Sequence, residues 1–267
     1  MTDQQDDDRP IGEVLTRRDA VKLLSAGSTA SMLAFAGIFP AVRGTSQLGR
    51  ANPACVVKPE MTEGPYFVDT QLNRADIRDG KAGQVLALAV TVIDATGGQC
   101  RPLSGAMVDV WQCDAKGVYS GVSDPMQGFE TRSEKFLRGY QTTGSNGIAR
   151  FTTIYPGWYP GRTIHIHFKV RAKAPAGAYE FTSQWYFDEG LNDRILAGGE
   201  YARPGRRDTL NANDSIFRNG GDQLLLAPAP SASGLTASYV LGLDLADAAV
   251  GRPDGSGRGG PGRRGRG

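Results

Sequence analysis

The chain holds two histidines, and both lie in one run, Thr163-Ile164-His165-Ile166-His167-Phe168-Lys169-Val170. Its β-branched and aromatic content marks the run as a strand. Residues two apart on a strand point to the same face, so His165 and His167 present two imidazoles side by side, with Ile164, Ile166 and Phe168 on the other face. Such a pair is a ready bidentate metal ligand, although imidazole alone suits Zn, Cu, Fe and Ni alike. The plain alternative is two packed histidines on a strand. Just upstream, Tyr155-Pro156-Gly157-Trp158-Tyr159-Pro160-Gly161-Arg162 forms a Pro- and Gly-rich loop able to fold Tyr159 back over the histidine face. Arg162 places a cation near that phenol, and a nearby cation favours the phenolate. A ferric ion acts in the same direction. Phenolate oxygen added to two imidazoles moves the choice of metal toward Fe(III).

Strands and turns must position these groups. Val85 to Asp94, Ala106 to Gln112, Gly139 to Thr143, Ile148 to Ile154, His165 to Val170, Phe181 to Phe187 and Tyr239 to Leu245 read as strands, separated by turn signals such as Gly97-Gly98 and Gly144-Ser145-Asn146-Gly147. Only a turn or two of helix is expected, near Asp188 to Ala197. With 36 glycines and no long amphipathic helix in its body, the chain is expected to be all-β, an antiparallel β-sandwich with long loops and few short helices.

Four segments, in order along the chain, then resemble one family. These are Thr62-Glu63-Gly64-Pro65-Tyr66-Phe67, Trp111-Gln112-Cys113-Asp114-Ala115-Lys116-Gly117-Val118-Tyr119-Ser120, Trp158-Tyr159-Pro160-Gly161-Arg162 through His165-Ile166-His167-Phe168, and Ser183-Gln184-Trp185-Tyr186-Phe187. Together they resemble the intradiol ring-cleavage dioxygenases, the protocatechuate 3,4-dioxygenases in particular. The resemblance implies a non-haem Fe(III) held by Tyr119, Tyr159, His165 and His167. It implies that Tyr159 leaves the metal when a catechol-type substrate binds, and that Arg162 steadies negative charge beside the ring while O2 is inserted. Gln184 and Tyr66 would contact substrate or line the mouth of the site, and the assembly would be at least a homodimer. Two features depart from the pattern: the loop from Tyr159 to His165 is several residues shorter, and Gly161 stands where a Trp often follows the Tyr-Pro pair.

The ends read differently from the body. Thr16-Arg17-Arg18, followed by a weakly apolar, Gly/Ser-punctuated stretch from Leu23 to Val42, looks like a twin-arginine export signal over residues 1–45. That signal predicts a periplasmic, extracellular or cell-surface protein with no stable membrane span in its mature form. Residues 46–250 are expected to form the sandwich domain, and the Gly/Arg-rich residues 251–267 a disordered tail. A net charge of +2, without a dense basic face in the body, argues against a nucleic-acid partner. Three cysteines permit one internal bridge, expected from Cys55 to either Cys100 or Cys113. Two other readings compete with the enzyme: an exported copper protein using His165 and His167, and a non-catalytic β-sandwich that binds aromatics or glycans.

Overall fold

The computed structural model describes residues 56–175 and 177–247. The signal read over residues 1–45, the tail read over 251–267, and Cys55 lie outside the described residues. The elements run β1 (Val85–Asp94), β2 (Arg101–Pro102), β3 (Met107–Trp111), β4 (Ser123–Asp124), β5 (Phe129–Glu130), β6 (Arg138–Thr142), β7 (Ile148–Ile154), β8 (His165–Ala174), β9 (Gly177–Tyr186), α1 (Glu189–Leu196), β10 (Ala229–Ser231) and β11 (Gly234–Leu243), with short 3-10 turns between some of them.

Two sheets make the sandwich. One runs β10-β11-β1-β2, with β7 also paired to β1; the other runs β6-β3-β8-β9. The second sheet is antiparallel throughout. In the first, β1 and β11 pair in parallel over Leu86–Asp94 and Leu235–Leu243. Between the sheets lie Leu86, Leu88, Val90 and Val92 of β1, Phe151 of β7, and Val108, Val110, Ile166, Phe168, Phe181 and Trp185 of the facing sheet, all buried. Phe168 and Trp185 stack with ring centroids 3.9 Å apart.

The outer face of the second sheet is polar and also buried. Its cross-strand rows are set by register: Arg138, Trp111, His167 and Gln184 form one, and Tyr140, Asp109, Lys169 and Thr182 the next. The arm before β1 covers this face. Met61 N donates to Thr182 O at 2.8 Å, and Gln184 Nε2 to Thr62 O at 3.0 Å. Phe67 packs edge-on to Trp111 and sits under the Lys169 ammonium. Lys169, 2% exposed, is neutralised by Glu63 and Glu180.

Asp109 is a poorly compensated charge in this layer. Burial raises its carboxyl to about 6, with Arg171 opposing the rise. The folded state therefore holds a proton on Asp109 that the unfolded chain has lost above about pH 4, so this group's contribution to stability falls as pH rises from about 4 through 6. Asp109→Asn should gain stability relative to the wild type across that window, by up to about 3 kcal/mol. Urea titrations of both proteins at the two ends of the window check it; a stability difference independent of pH would refute it.

Cys100 is disulfide-bonded, whereas Cys113 is a buried free thiol. This removes the alternative in which Cys113 forms the bridge. Among the described residues no helix is long and apolar enough to cross a membrane.

Candidate metal centre

Two loops and one strand bring four donors together. Tyr119 follows a tight turn in which Asp114 Oδ1 accepts from Lys116 N and Val118 N at 2.9 and 3.0 Å. Gly117 sits in that turn at φ +82°, and a Cβ there would lie 2.2 Å from the carbonyl oxygen of Trp158. Only glycine lets the Tyr119 turn meet the Tyr159 loop so closely. Beyond Tyr119, the buried Arg138 donates through Nε to Ser120 O and Oγ, each at 3.0 Å, and Thr131 Oγ1 donates to Tyr119 O at 2.6 Å. The Tyr159 loop is pinned by Gly157 N donating to Asp114 O at 3.0 Å and Gly161 N donating to Asp208 Oδ1 at 3.1 Å. Gly161 itself adopts φ +87°, a left-handed conformation that suits glycine.

The donors converge on one point. His165 Nε2 lies 2.9 Å from His167 Nε2, 3.2 Å from Tyr159 Oη and 3.4 Å from Tyr119 Oη. His165 Nδ1 faces Thr163 O at 2.6 Å. A carbonyl only accepts, so Nδ1 carries the proton and Nε2 presents its lone pair. Three polar atoms thus crowd a single lone pair, more than hydrogen bonding can use. A cation among the four relieves that crowding.

Protonation supports the same fit. Burial, then the Arg162 charge, lowers the His165 imidazole, and burial, then His165, lowers His167, so both rings are neutral at physiological pH. Neutral imidazole is the metal-binding form. The tyrosines behave otherwise than the nearby arginine alone suggests. Arg162 does lower the Tyr159 phenol, but burial outweighs it and leaves the phenol well above its ordinary range. Burial does the same to Tyr119. Without a metal both stay protonated; a multiply charged cation supplies the missing drive to phenolate.

Neighbouring rings lock the donors. Trp111 stacks on His167 at 5.0 Å and 10°, and Tyr66 stacks on Tyr119 at 4.4 Å and 24°. Tyr66 directs its hydroxyl away from the cluster to Asp124 and receives a hydrogen bond from Gln127 Nε2 at 3.1 Å. Arg162 is held by Asp214 Oδ2 at Nε (2.9 Å) and by Gln184 Oε1 at Nη2 (2.6 Å). Gln184 Oε1 also accepts from Tyr186 Oη at 3.0 Å, and Gln184 Nε2 is spent on Thr62 O. The structure therefore makes Gln184 a support for Arg162. Asp214, Trp111 and Arg138 belong to the same assembly and were not singled out by the sequence. Asp214 lies in Asn211-Ala212-Asn213-Asp214-Ser215, a string that reads as an ordinary turn.

A model of the dioxygenase family matches residues 60–224, over half of the chain. An intradiol ring-cleavage dioxygenase from Tetranychus urticae is 30% identical, with a TM-score of 0.63 over 72% of this chain and 96% of that one. The dioxygenase domain of a dioxygenase–carbohydrate-binding protein fusion from Streptomyces sp. SirexAA-E is 29% identical, with a TM-score of 0.51 over 71% of this chain and 99% of that domain. Chlorocatechol 1,2-dioxygenase of Pseudomonas putida is 29% identical over 167 residues, 56% of this chain and 58% of that one. The chain spans about half the length of the curated relatives it matches, 40% to 62% of each. It belongs to the intradiol ring-cleavage dioxygenase family.

Proposed function

We propose that this protein uses O2 to cleave catechol-type aromatic rings between their two hydroxyl-bearing carbons, giving muconate-type diacids, with a non-haem Fe(III) held by Tyr119, Tyr159, His165 and His167. The observation that carries this reading is the convergence of Tyr119 Oη, Tyr159 Oη and His167 Nε2 on His165 Nε2. Two hard phenol oxygens beside two neutral imidazoles form a set that ferric iron suits better than copper or zinc. When bound, the ferric ion supplies a Lewis acid that chelates the diol and makes its ring reactive toward O2.

The chain's own residues then have separable tasks. Tyr159 Oη is a strong base once released, because burial pushes its phenol up, and it can take one proton from the substrate diol. Arg162, fixed by Asp214 and Gln184, holds a permanent positive charge where negative charge develops on the ring and its oxygens. The Tyr66 ring, its hydroxyl turned to Asp124, offers an apolar wall to the substrate. Trp111 and Phe67 seal the site from water on the side of His167.

Export by the twin-arginine route belongs to the same reading. The Cys100 disulfide supports it, since such bridges persist in oxidising compartments. Purified protein should be red-brown from tyrosinate-to-iron charge transfer and should consume O2 with at least one of catechol, hydroxyquinol and protocatechuate. The same oxygen assay on fractionated cells should find the activity outside the cytoplasm. Colourless protein carrying stoichiometric zinc or copper, and no oxygen uptake across the panel, would overturn the assignment.

A further inference from the structure

Residues 201–214 follow the whole loop that carries Tyr159. Tyr201 Oη donates to Tyr155 O at 2.7 Å, and Arg203 Nη1 to Trp158 O at 2.9 Å. Further on, Asp208 Oδ1 accepts from Gly161 N at 3.1 Å, Asn211 Oδ1 from Thr163 Oγ1 at 2.7 Å, and Asp214 Oδ2 from Thr163 N at 2.8 Å. The contacts advance together along both segments, so this stretch braces the loop from end to end.

Arg203 does something its neighbours in the brace do not. The same Nη1 that reaches Trp158 O also donates to Lys116 O at 2.5 Å, three residues before Tyr119. Its guanidinium lies over the Trp158 ring, 4.3 Å from the centroid. Lys116 Nζ returns a bond to Ala202 O at 2.6 Å. At Gly117 an added Cβ would lie 2.2 Å from Trp158 O and 2.9 Å from Arg203 Nη1, so the three segments meet with no room between them.

We infer that Arg203 is a positioning residue that clamps the Tyr119 turn to the Tyr159 loop and thereby sets the spacing of the two phenol oxygens. This rests on the reading of both tyrosines as iron ligands. Arg203 touches neither phenol; it acts through the carbonyl next to Tyr159 and the carbonyl three residues ahead of Tyr119. A planar guanidinium suits that task, because one nitrogen carries two hydrogens in fixed directions while the plane stacks on an indole.

The test compares Arg203→Gln and Arg203→Lys with the wild type, after far-UV circular dichroism has shown native folding. Fe(III) affinity is read by competition with a chelator, and ligand geometry by the tyrosinate charge-transfer band of the loaded fraction. Arg203→Gln should bind Fe(III) about 10- to 100-fold more weakly, the usual effect of removing a group that orients a ligand, and its band should shift. Arg203→Lys should be intermediate. A contact that merely stabilises the fold lowers the melting temperature without moving the band. Wild-type affinity together with a wild-type band in Arg203→Gln overturns the inference; should that variant not fold, the same result in Arg203→Lys does so. Iron-loaded wild-type protein without the band overturns instead the assignment of the tyrosines as ligands.

Discussion

Tyr119→Phe is expected to bleach the protein's visible band and to weaken iron binding and turnover by more than about 100-fold. That figure is the upper end of what loss of an orienting partner costs, and a lost ligand must exceed it. The structure gives the reason. Tyr119 is fully buried, its ring is fixed by stacking on Tyr66, and its backbone is held by Thr131 at its own carbonyl and by Arg138 at Ser120. The hydroxyl of Tyr66, the ring stacked on it, is turned away to Asp124. Phenylalanine keeps the ring and the stack, so stability should change little. Tyr66→Phe is the matched control. It removes a hydroxyl that points to Asp124 and keeps the wall, so colour and iron content should stay at wild-type levels. Tyr119→Phe protein that still binds one iron with an unchanged spectrum would remove Tyr119 from the ligand set.

The sequence made the histidine strand legible because the chain has two histidines and spends both at a spacing that only a strand turns into a pair. Tyr159 was legible through its loop, since proline and glycine on either side announce a sharp return toward the histidines. Tyr119 was one of nine tyrosines, and only the resemblance selected it. β1 and β7 were read with the bounds the structure gives them, because alternation and flanking glycines coincide there. β8 and β9 run further than expected, to Ala174 and from Gly177. Their extension is polar, and its stability comes from cross-strand charge pairs such as Arg171 opposite Glu180. β11 begins at Gly234, five residues before the expected start at Tyr239, where Gly234, Ala237 and Ser238 give little β signal on their own. Its parallel pairing with β1 joins segments far apart in the chain, and no local period encodes such a partner. The supports of the site were hidden for a related reason. Arg203 makes its hydrogen bonds to backbone carbonyls, and Asp214 takes three of its four side-chain bonds from backbone N–H groups, so the identities of those partners do little to mark the contacts.

Asp214 carries the second large effect. Its side chain is wholly buried. One carboxylate oxygen accepts from Arg162 Nε at 2.9 Å and Thr163 N at 2.8 Å, the other from Ile216 N at 2.8 Å and Phe217 N at 2.9 Å. Burial pushes its carboxyl up, but the Arg162 charge and the backbone N–H groups bring it below the ordinary carboxylate range. The stability it contributes is therefore fully present above about pH 4 and lost only as the pH falls below that, through the depressed folded value. At neutral pH, Asp214→Asn keeps the shape but turns an amide toward Arg162 and leaves a partly buried guanidinium without its counterion. Breaking one half of a buried pair costs about 3–5 kcal/mol. Turnover should fall by about 100- to 1000-fold, the usual effect of losing a charge aimed at the transition state, because Arg162 then has only Gln184 to aim it. Replacing both partners separates the two effects. Arg162→Met with Asp214→Asn leaves no orphaned charge, so the double variant should recover about 1–4 kcal/mol of the stability lost by Asp214→Asn alone. Its turnover should stay as low as that of Arg162→Met. Denaturant titration and oxygen uptake on the three variants measure both quantities. Additive losses of stability would show that Asp214 does not act as the counterion of Arg162, and restored turnover in the double variant would show that the Arg162 charge has no part in the chemistry.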